Sequence, residues 1–524
     1  MSETTARGGA PGGVLGLIER VGNRLPDPAT LFLLATVLVI VVSQLAVSAG
    51  WSVEKTVLEA GRPVTTRVEA VSLLGSDGIY WLLSSLVTNF GSFPPLAMVL
   101  VGMLGIGLAE RAGFLPALLG ASLARAPKRL LAPLVVFVGV SSSLAVDAGY
   151  VVLPPIAAAL FLAAGRHPVA GVAAAFAGVA GGFGANLAPT ALDPLLASFT
   201  TAGAQLVDPG YTVAATCNWW LMIVSTLLLT VVGGWITDRV VEPRLWRVSR
   251  AAGADAEAAT TASAPGLDAA QRRGLRAGLA ALALVLAGIL LASLVPGAPL
   301  HGAADGKPRW VGTIVPLLAL ALAVPGLAHG IAARTIRSDR DAARMLGETM
   351  AAMGPYVVLA FFAAQFVACF GRSRLGEMLA VAGGELLARA ALPTPLLVVL
   401  LILATATVNV VMASASAKYA FLAPVVVPML MQVGVSPELT QAAYRVGDSI
   451  TNPITPLNPY LVIVLTLVQR HLPGAGLGTL LAAMLPYTIA FGVAWTVLLA
   501  AWVLTGLPLG PEGPLAYPAA TGLP

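Results

Sequence analysis

Apolar stretches of membrane-spanning length recur along the whole chain, separated by short polar segments. The clearest of them cover residues 29–49, 213–236, 277–295, 310–328 and 478–505. A helix needs about 20 predominantly apolar residues to cross the hydrocarbon core of a bilayer. The pattern therefore predicts an all-α polytopic membrane protein.

The second apolar region, residues 78–109, is interrupted by the letters GSFPP at 91–95. Proline removes a helical hydrogen bond, so we expect a kink or break there. The stretch 112–126 is interpreted as an amphipathic helix in the membrane interface. We assign 1–28 to a cytoplasmic N-terminus and 29–126 to N-terminal scaffold helices.

The unit 127–200 carries polar and helix-breaking residues at membrane depth. Residues 130–165 have basic residues at both ends and SSSLAVDAG in the middle, which predicts a re-entrant hairpin. Residues 168–200 contain GGFGANLAPTALDP, a cluster of glycine, asparagine and proline that is typical of a broken helix. The unit is therefore predicted to be one hairpin followed by one broken spanning helix.

The second half of the chain repeats this order. SASAKYAFLAPVVVP is similar to SSSLAVDAGYVVLPPI, and GDSITNPITPLNP is similar to GGFGANLAPTALDP. Counting spans puts the second hairpin on the opposite side, so the units form inverted repeats, the architecture of many secondary transporters, with about nine crossings and two hairpins in all. The remaining boundaries are 201–393 for scaffold helices, 394–470 for the second unit, and 471–524 for the last helix and tail.

Charge indicates the orientation of the chain. Only 10% of the residues are charged and 57% are hydrophobic, whereas a soluble domain has roughly 25% charged residues. Arginines concentrate in the linker 239–276 and in a second loop with Arg334, Arg337, Arg340 and Arg344. Because basic loops mark the cytoplasmic side, we expect both loops and the N-terminus there and the C-terminus outside. The net charge of +5 is a topology signal, and we expect no nucleic-acid partner.

Four elements are expected to meet at one site, namely the hairpin tips 141–147 and 414–419 and the helix breaks 183–193 and 447–456. Helix ends and freed backbone groups at such points bind anionic groups and cations. The residues expected at the helix breaks or around a cation are Ser143, Asp147, Asn186, Thr190, Ser414, Asn452 and Thr455. Cysteine and histidine lack metal-binding spacing, so no metal is expected beyond Na⁺.

Charged residues at membrane depth require a structural or functional explanation, because the insertion free energy of each is unfavourable by about 2.5–3.5 kcal/mol at the bilayer centre. Asp193, Arg445 and Asp448 stand beside the expected breaks, and Lys418 stands at the second tip. Arg445 and Asp448 are three residues apart, so on a helix they share one face and are able to pair. In the functional interpretation, Arg445 or Lys418 binds a substrate carboxylate, and an aspartate relays protons or binds Na⁺. In the structural interpretation, the same charges only close a helix break or reach water.

The stretches GGFGANLAPTALDP, SASAKYAFLAPVVVPMLM and QAAYRVGDSITNPITPLNPY, with RVGNRLPDPATLF near the N-terminus, resemble the p-aminobenzoyl-glutamate transporter (AbgT) family. The resemblance covers nearly the whole chain. It implies a homodimer in the bacterial inner membrane that imports p-aminobenzoyl-glutamate or exports p-aminobenzoate-like antimetabolites such as sulfonamides. It also implies that transport involves Asp193, Ser416, Pro437, Arg445, Asp448 and Pro456. The family is expected to have tryptophan where this chain has Tyr419, whose smaller ring still stacks.

Two other functions fit the same residues. A sodium-coupled transporter of small dicarboxylates would share the architecture. An intramembrane enzyme would use Asp193 and Asp448 as a carboxylate pair, with side chains roughly 3 Å apart. We expect a secondary transporter of a small aromatic carboxylate and not an enzyme. We also expect no cofactor other than a coupling ion, Na⁺ or H⁺.

Overall fold

A computed structural model describes residues 26–59, 62–123, 127–145, 148–251, 267–304, 307–412 and 414–518. The N-terminal segment before residue 26, which is predicted to be cytoplasmic, the middle of the linker and Asp147 lie outside the described residues. The described chain consists of α-helices joined by loops and two short antiparallel β-hairpins.

The chain begins with scaffold elements and continues into the first repeat unit. The scaffold elements are α1 (Pro28–Ser48), β1 (Ser52–Glu59), β2 (Arg62–Glu69), α2 (Ser76–Gly91), α3 (Pro94–Arg111) and α4 (Phe114–Leu123). The first unit comprises α5 (Leu131–Ser141), α6 (Ala148–Ala163), α7 (Pro168–Phe176) and α8 (Leu192–Ala204). Asp27 caps α1 by accepting a hydrogen bond from the backbone N–H of Ala29, and the predicted break before Pro94 separates α2 from α3.

The second unit follows a longer run of scaffold elements. Those elements are α9 (Trp219–Ile236), α10 (Glu242–Ala251), α11 (Ala269–Leu294), β3 (Ala303–Ala304), β4 (Lys307–Pro308), α12 (Arg309–Gly312), α13 (Ile314–Ala333), α14 (Asp339–Ala352), α15 (Gly354–Arg372) and α16 (Leu375–Ala390). The second unit comprises α17 (Thr394–Val411), α18 (Ala415–Gln432), α19 (Pro437–Thr451) and α20 (Leu461–His471), and α21 (Leu477–Thr505) ends the bundle.

The number of membrane crossings agrees with the prediction. Among the described residues, 8 helices are long and apolar enough to span a bilayer, and one of them, α17, is an arm of the second hairpin. The other seven and the two broken helices make nine crossings. Five described crossings separate the two hairpins, and because this number is odd, the hairpins enter from opposite sides. The prediction of an all-α inverted-repeat membrane protein is confirmed.

Both hairpins and both helix breaks are present, at slightly shifted positions. The arms α5 and α6 have 11 and 16 residues, which at 1.5 Å per residue is too short for a core of about 30 Å. The first break covers 182–191, after a π-helical turn at Ala177–Gly181. The second break covers 452–460, because α19 continues to Thr451. The predicted break at 447–456 therefore began too early.

The expected interfacial helix at 112–126 is wrong. Phe114 and Leu115 of α4 are buried, and the helix packs against α3, α6, α11 and α13. Its sequence FLPALLGASL has one hydroxyl group and no charge, so it lacks the polar face that an interfacial helix turns to water.

The N-terminal arms of the two broken helices form the centre of the bundle. Every residue of α7 is buried, and so is every residue of α19 up to Ile450. Close approach of α5 to the π-helical turn requires glycine, since a Cβ on Gly178 would lie 2.6 Å from the carbonyl oxygen of Val136. This contact holds the first hairpin against the first broken helix.

Replacing Gly178 by alanine tests this packing. The added Cβ forces α5 away, and overpacking of this kind costs about 1–3 kcal/mol. Gly102→Ala on α3 is the matched control, because a Cβ there meets no atom within 4 Å. We expect thermal unfolding to show a lower Tm for Gly178→Ala only. Equal Tm values for the two variants would contradict the tight contact.

Candidate functional site

A cavity of about 420 Å³ lies where the two repeat units meet. The first unit contributes Tyr150 from the start of α6 and Phe183 from the first break. The second unit contributes Ser414 and Ala415 from the hairpin tip and much of the segment 452–460 from the second break. The cavity therefore lies between the second tip, the two breaks and the start of α6, and its described lining includes no residue of the predicted first tip, 141–147.

Two tyrosines stack in the wall of this cavity. The rings of Tyr150 and Tyr460 have centroids 4.2 Å apart and planes inclined by only 6°. Each ring comes from a different repeat unit. An aromatic surface of this kind binds flat rings by offset stacking, and sequence reasoning had not singled out either tyrosine.

Polar side chains hold the second break open beside the tyrosine pair. Asn458 donates through Nδ2 to the carbonyl oxygen of Asn452 at 3.1 Å and accepts from the backbone N–H of Tyr460 at 3.0 Å. Thr455 Oγ1 donates to the carbonyl oxygen of Val410 at 3.2 Å. These bonds replace helical hydrogen bonds that the break removes, and no bilayer lipid can replace them.

An ion pair joins the first break to the second unit. Arg445 on α19 donates through Nη1 to Asp193 Oδ1 at 2.7 Å and through Nε to the carbonyl oxygen of Gly184 at 3.1 Å. Asp193 Oδ2 accepts from the backbone N–H of Thr190 at 2.6 Å, from Thr190 Oγ1 at 2.9 Å and from Asn186 Nδ2 at 3.2 Å. The carboxylate therefore organises the first break and also binds the arginine.

Two polar atoms next to this pair have no hydrogen-bond partner within the described chain. They are Nη2 of Arg445, a cationic donor, and Oδ1 of Asn186, an acceptor. Both atoms are buried, and leaving a buried polar group unpaired costs about 1–3 kcal/mol. Nη2 of Arg445 is free to donate to an anionic group, and Oδ1 of Asn186 is free to bind a cation or to accept from another donor.

A second ion pair lies within the second unit. Lys418 Nζ is 2.6 Å from Asp448 Oδ1, and both side chains are buried. The ammonium also donates to Oδ1 of Asn409, which in turn donates through Nδ2 to the carbonyl oxygen of Asp448 and to Asn452 Oδ1. Arg445 and Asp448, which helix spacing allowed to pair, do not bind each other, because each residue binds a partner from another element.

The aromatic residues next to Lys418 are packed and do not line the cavity. Tyr419 is fully buried, with its ring centroid 4.1 Å from that of Tyr444 and its hydroxyl 2.8 Å from Thr200 Oγ1. Tyr444 donates to the carbonyl oxygen of Ala415 at 2.6 Å. In this conformation Tyr419 supports the hairpin tip and presents no face to a ligand.

The predicted site residues fall into three groups in the structure. Ser414, Asn452 and Thr455 line the cavity, while Asn186, Thr190, Asp193, Lys418, Arg445 and Asp448 form the polar networks behind it. Ser143 donates to the carbonyl oxygen of Val140 at the first tip, Ser416 follows the cap of α18, and Pro456 lies in the second break. Their part in ligand binding stays a prediction.

Sequence reasoning missed Asn409 as well as the tyrosine pair. Asn409 is the only amide in the apolar run LLVVLLILATATVNVVM. A lone polar residue in such a run is a signal, because its partners must come from within the protein. The two aspartates have separate cationic partners, so the geometry offers no carboxylate pair that shares a proton.

Re-entrant hairpins that face broken helices across a cavity define a multi-pass membrane transporter. The family model of the AbgT transporters matches residues 13–517, and the chain belongs to this family. It is 37% identical over 506 residues to the p-aminobenzoyl-glutamate transport protein of Escherichia coli K12, covering 95% of this chain and 96% of that protein.

Two solved structures have the same fold. The YdaH transporter of Alcanivorax borkumensis superposes with a TM-score of 0.84 at 42% identity, covering 93% of this chain and 100% of that one. MtrF of Neisseria gonorrhoeae, described as illuminating a class of antimetabolite efflux pumps, superposes with a TM-score of 0.86 at 37% identity, covering 96% and 100%. The relatives are transporters and not enzymes, as expected from the sequence.

Removing Arg445 alone and together with Asp193 separates the structural role of this pair from its role in transport. Arg445→Met leaves a buried carboxylate without its cation, which costs about 3–5 kcal/mol. We expect Arg445→Met/Asp193→Asn, which removes both charges and keeps a side-chain oxygen for the Thr190 donors, to recover most of the stability and none of the transport. Thermal unfolding and transport assays on the same preparations provide both readouts.

Arg389→Met is the control for this pair, because it removes the same side chain from an exposed ion pair with Glu385. It should change neither stability nor transport. Recovery of transport in the stable double variant would show that the pair only closes the helix break.

Proposed function

We propose that this protein carries p-aminobenzoyl-glutamate or a related aromatic carboxylate across the bacterial inner membrane, driven by an ion gradient. The observation that carries the proposal is a cavity with a tyrosine stack in its wall and a buried arginine in the polar network behind it. Tyr150 and Tyr460 stand in the cavity wall. Arg445 binds the carbonyl oxygen of Gly184, the residue next to Phe183 of the same wall.

The chemistry of the cargo fits these groups. p-Aminobenzoyl-glutamate combines one aromatic ring with an amide and carboxylates. Its ring matches the flat faces of the tyrosines, and a carboxylate is the natural acceptor for Nη2 of Arg445, since charge-assisted bonds to guanidinium are among the stronger ones. The cavity volume of about 420 Å³ lies within the roughly 300–1,000 Å³ that is typical of small-molecule sites.

The names of the relatives support the cargo class, and one of them indicates export. The relative from Escherichia coli is named for p-aminobenzoyl-glutamate transport, and MtrF is described as an antimetabolite efflux pump. Sulfonamides share the p-aminophenyl ring of p-aminobenzoate, so the same tyrosine pair would bind them. Export of such antimetabolites is the second arm of the proposal.

The remaining parts of the proposal concern the coupling ion, the orientation and the assembly. Oδ1 of Asn186 is a buried acceptor with no donor in the described chain, which favours the first break as the position of a coupling ion, Na⁺ or H⁺. The basic loops favour a cytoplasmic N-terminus and an external C-terminus. A homodimer is proposed from the family resemblance.

Uptake into proteoliposomes with Na⁺ and H⁺ gradients imposed separately tests the cargo and the coupling. We expect labelled p-aminobenzoyl-glutamate to accumulate under one of the two gradients, and p-aminobenzoate to compete while succinate does not. Liposomes without protein give the background. Competition by succinate alone would favour the dicarboxylate transporter, and no accumulation under either gradient, together with unchanged sulfonamide accumulation in cells, would contradict the proposal.

Truncation of Tyr460 tests the aromatic contact. Tyr460→Ala removes one face of the stack and should raise the KM for p-aminobenzoyl-glutamate about tenfold, which corresponds to about 1.4 kcal/mol. Tyr460→Phe keeps the ring and should stay near the wild-type value. Tyr80→Ala, at a tyrosine that is 74% exposed on α2, controls for the loss of any tyrosine. A KM of Tyr460→Ala equal to that of Tyr460→Phe would rule out ring stacking.

A further inference from the structure

A separate cavity of about 300 Å³ lies between the start of α10 and the start of α21. A π-helical turn at Thr237–Val241 joins α9 to α10, so the chain continues from the spanning helix directly to this cavity. Arg244 contributes a positive charge to the lining. The apolar part of the lining comes from both sides and consists of Val241, Leu245, Ala482, Ala483 and Pro486.

Small residues on α21 leave the space open. Gly478 and Ala482 both line the cavity, and residues four apart lie on the same face of a helix. Arg244 is exposed, and its Nη1 donates to the carbonyl oxygen of Ala482 at 3.3 Å. A guanidinium group has five N–H donors, so the arginine is held at the cavity and keeps donors for a ligand.

Charges on the segment 238–250 are separated by sign. Asp238 and Glu242 both bind Arg166, which lies between α6 and α7. On α10, arginines recur at every third position and are exposed, namely Arg244, Arg247 and Arg250. None of these three belongs to an ion pair of the described chain. The carboxylates are thus neutralised on the protein side, and a stripe of uncompensated positive charge runs along the exposed side.

The cavity lies at the depth of the lipid head groups. The 18 residues of α9, at 1.5 Å per residue, nearly match the hydrocarbon core of about 30 Å, so α10 begins at the boundary with water. Trp235 in the last turn of α9 is 58% exposed, and exposed tryptophan is enriched at this boundary. Leu485 and Ile489 of α21 are also exposed, which is expected where acyl chains contact the protein.

The N-terminal end of α21 adds to the positive potential of the cavity. Gly478 and Thr479, in the first turn of this helix, belong to the lining. The N-cap residue Gly476 provides no side-chain cap. The first turn of a helix carries a partial positive charge and N–H groups that bind phosphate, so this end strengthens the attraction that Arg244 provides.

We propose that this cavity binds one anionic phospholipid of the cytoplasmic leaflet. The phosphodiester accepts hydrogen bonds from Arg244, and the beginning of an acyl chain packs against Val241, Leu245 and Pro486. Basic segments next to spanning helices attract anionic lipids, and the cavity adds a position for one particular molecule. The choice of leaflet rests on the proposed orientation of the chain, whereas the site itself does not.

Thermal unfolding of the delipidated full-length protein in detergent tests this site. Dioleoyl phosphatidylglycerol is added in one series and dioleoyl phosphatidylcholine in the other, at equal concentrations. Phosphatidylglycerol should raise the Tm of the wild type by several degrees more than phosphatidylcholine does, because a ligand that binds only the folded state stabilises it. Arg244→Gln should lose most of this additional shift. Arg340→Gln, at an exposed arginine of the other basic loop, is the matched control and should retain it.

Ala482→Leu distinguishes the cavity from general surface charge, because it fills the space and keeps every arginine. It should also lose most of the additional shift, and mass spectrometry of the intact protein should detect one phosphatidylglycerol fewer per chain than on the wild type. If Ala482→Leu does not fold, Gly478→Leu repeats the test, since a Cβ at residue 478 meets no atom within 4 Å.

Three results would overturn the proposal. One is an equal additional shift in the wild type, Arg244→Gln and the cavity-filling variant. Another is an equal loss in Arg244→Gln and Arg340→Gln, which would indicate attraction by net charge alone. The third is a shift of the same size with inorganic phosphate, which would make the ligand a free anion and not a lipid.

Failure of this test and failure of the proposed function are distinguishable. The unfolding measurements contain no cargo and no ion gradient, so a wrong cargo leaves their outcome unchanged. The transport assays use the wild type in liposomes, and the absence of a preference for phosphatidylglycerol leaves the cargo assignment intact.

Discussion

Backbone groups released by two helix breaks inside the bilayer are the constraint on which this structure depends. Lipid offers no hydrogen bonds, so each freed N–H and C=O must find a partner within the protein or border a cavity. Asp193 and Thr190 meet this need at the first break, and Asn409, Thr455 and Asn458 meet it at the second. The same groups form the polar surroundings of the cavity, so the site arises from the requirement that satisfies the backbone.

The two repeat units share an architecture but divide the charges unequally. In the two buried ion pairs, both cations, Lys418 and Arg445, belong to the second unit, while each unit contributes one carboxylate. The first unit therefore depends on the second for the neutralisation of Asp193. Repetition of the fold and repetition of the chemistry are separate properties in this molecule.

Much of the architecture was predictable because it depends on local sequence. Glycine and proline clusters mark the breaks, and basic ends mark the first hairpin, so element order and number followed from the chain. The partners of Arg445 and Asp448 were not predictable in this way. Helix periodicity places them on one face, but Arg445 binds Asp193, 252 residues away in sequence, and only the packing of α8 against α19 brings these two together.

Tyr150 and α4 illustrate the same limit. Tyr150 is an unremarked aromatic residue of an apolar arm until the fold places Tyr460 4.2 Å from its ring. The stretch 112–126 was interpreted as an interfacial helix, yet α4 has no polar face and packs against other helices. Periodicity describes one helix, whereas burial depends on how many neighbours cover it.

The two ion pairs respond differently to relative motion of the repeat units. Lys418 and Asp448 belong to the same unit, so a rigid displacement of one unit against the other leaves their contact intact. Arg445 and Asp193 belong to different units, so the same displacement stretches the 2.7 Å contact between them. Separating a buried pair without a substitute partner leaves a charge uncompensated at several kcal/mol. Under the proposed function, a cargo carboxylate bound to the remaining donor of Arg445 would provide such a substitute, and the energetics of the motion would then depend on the presence of cargo.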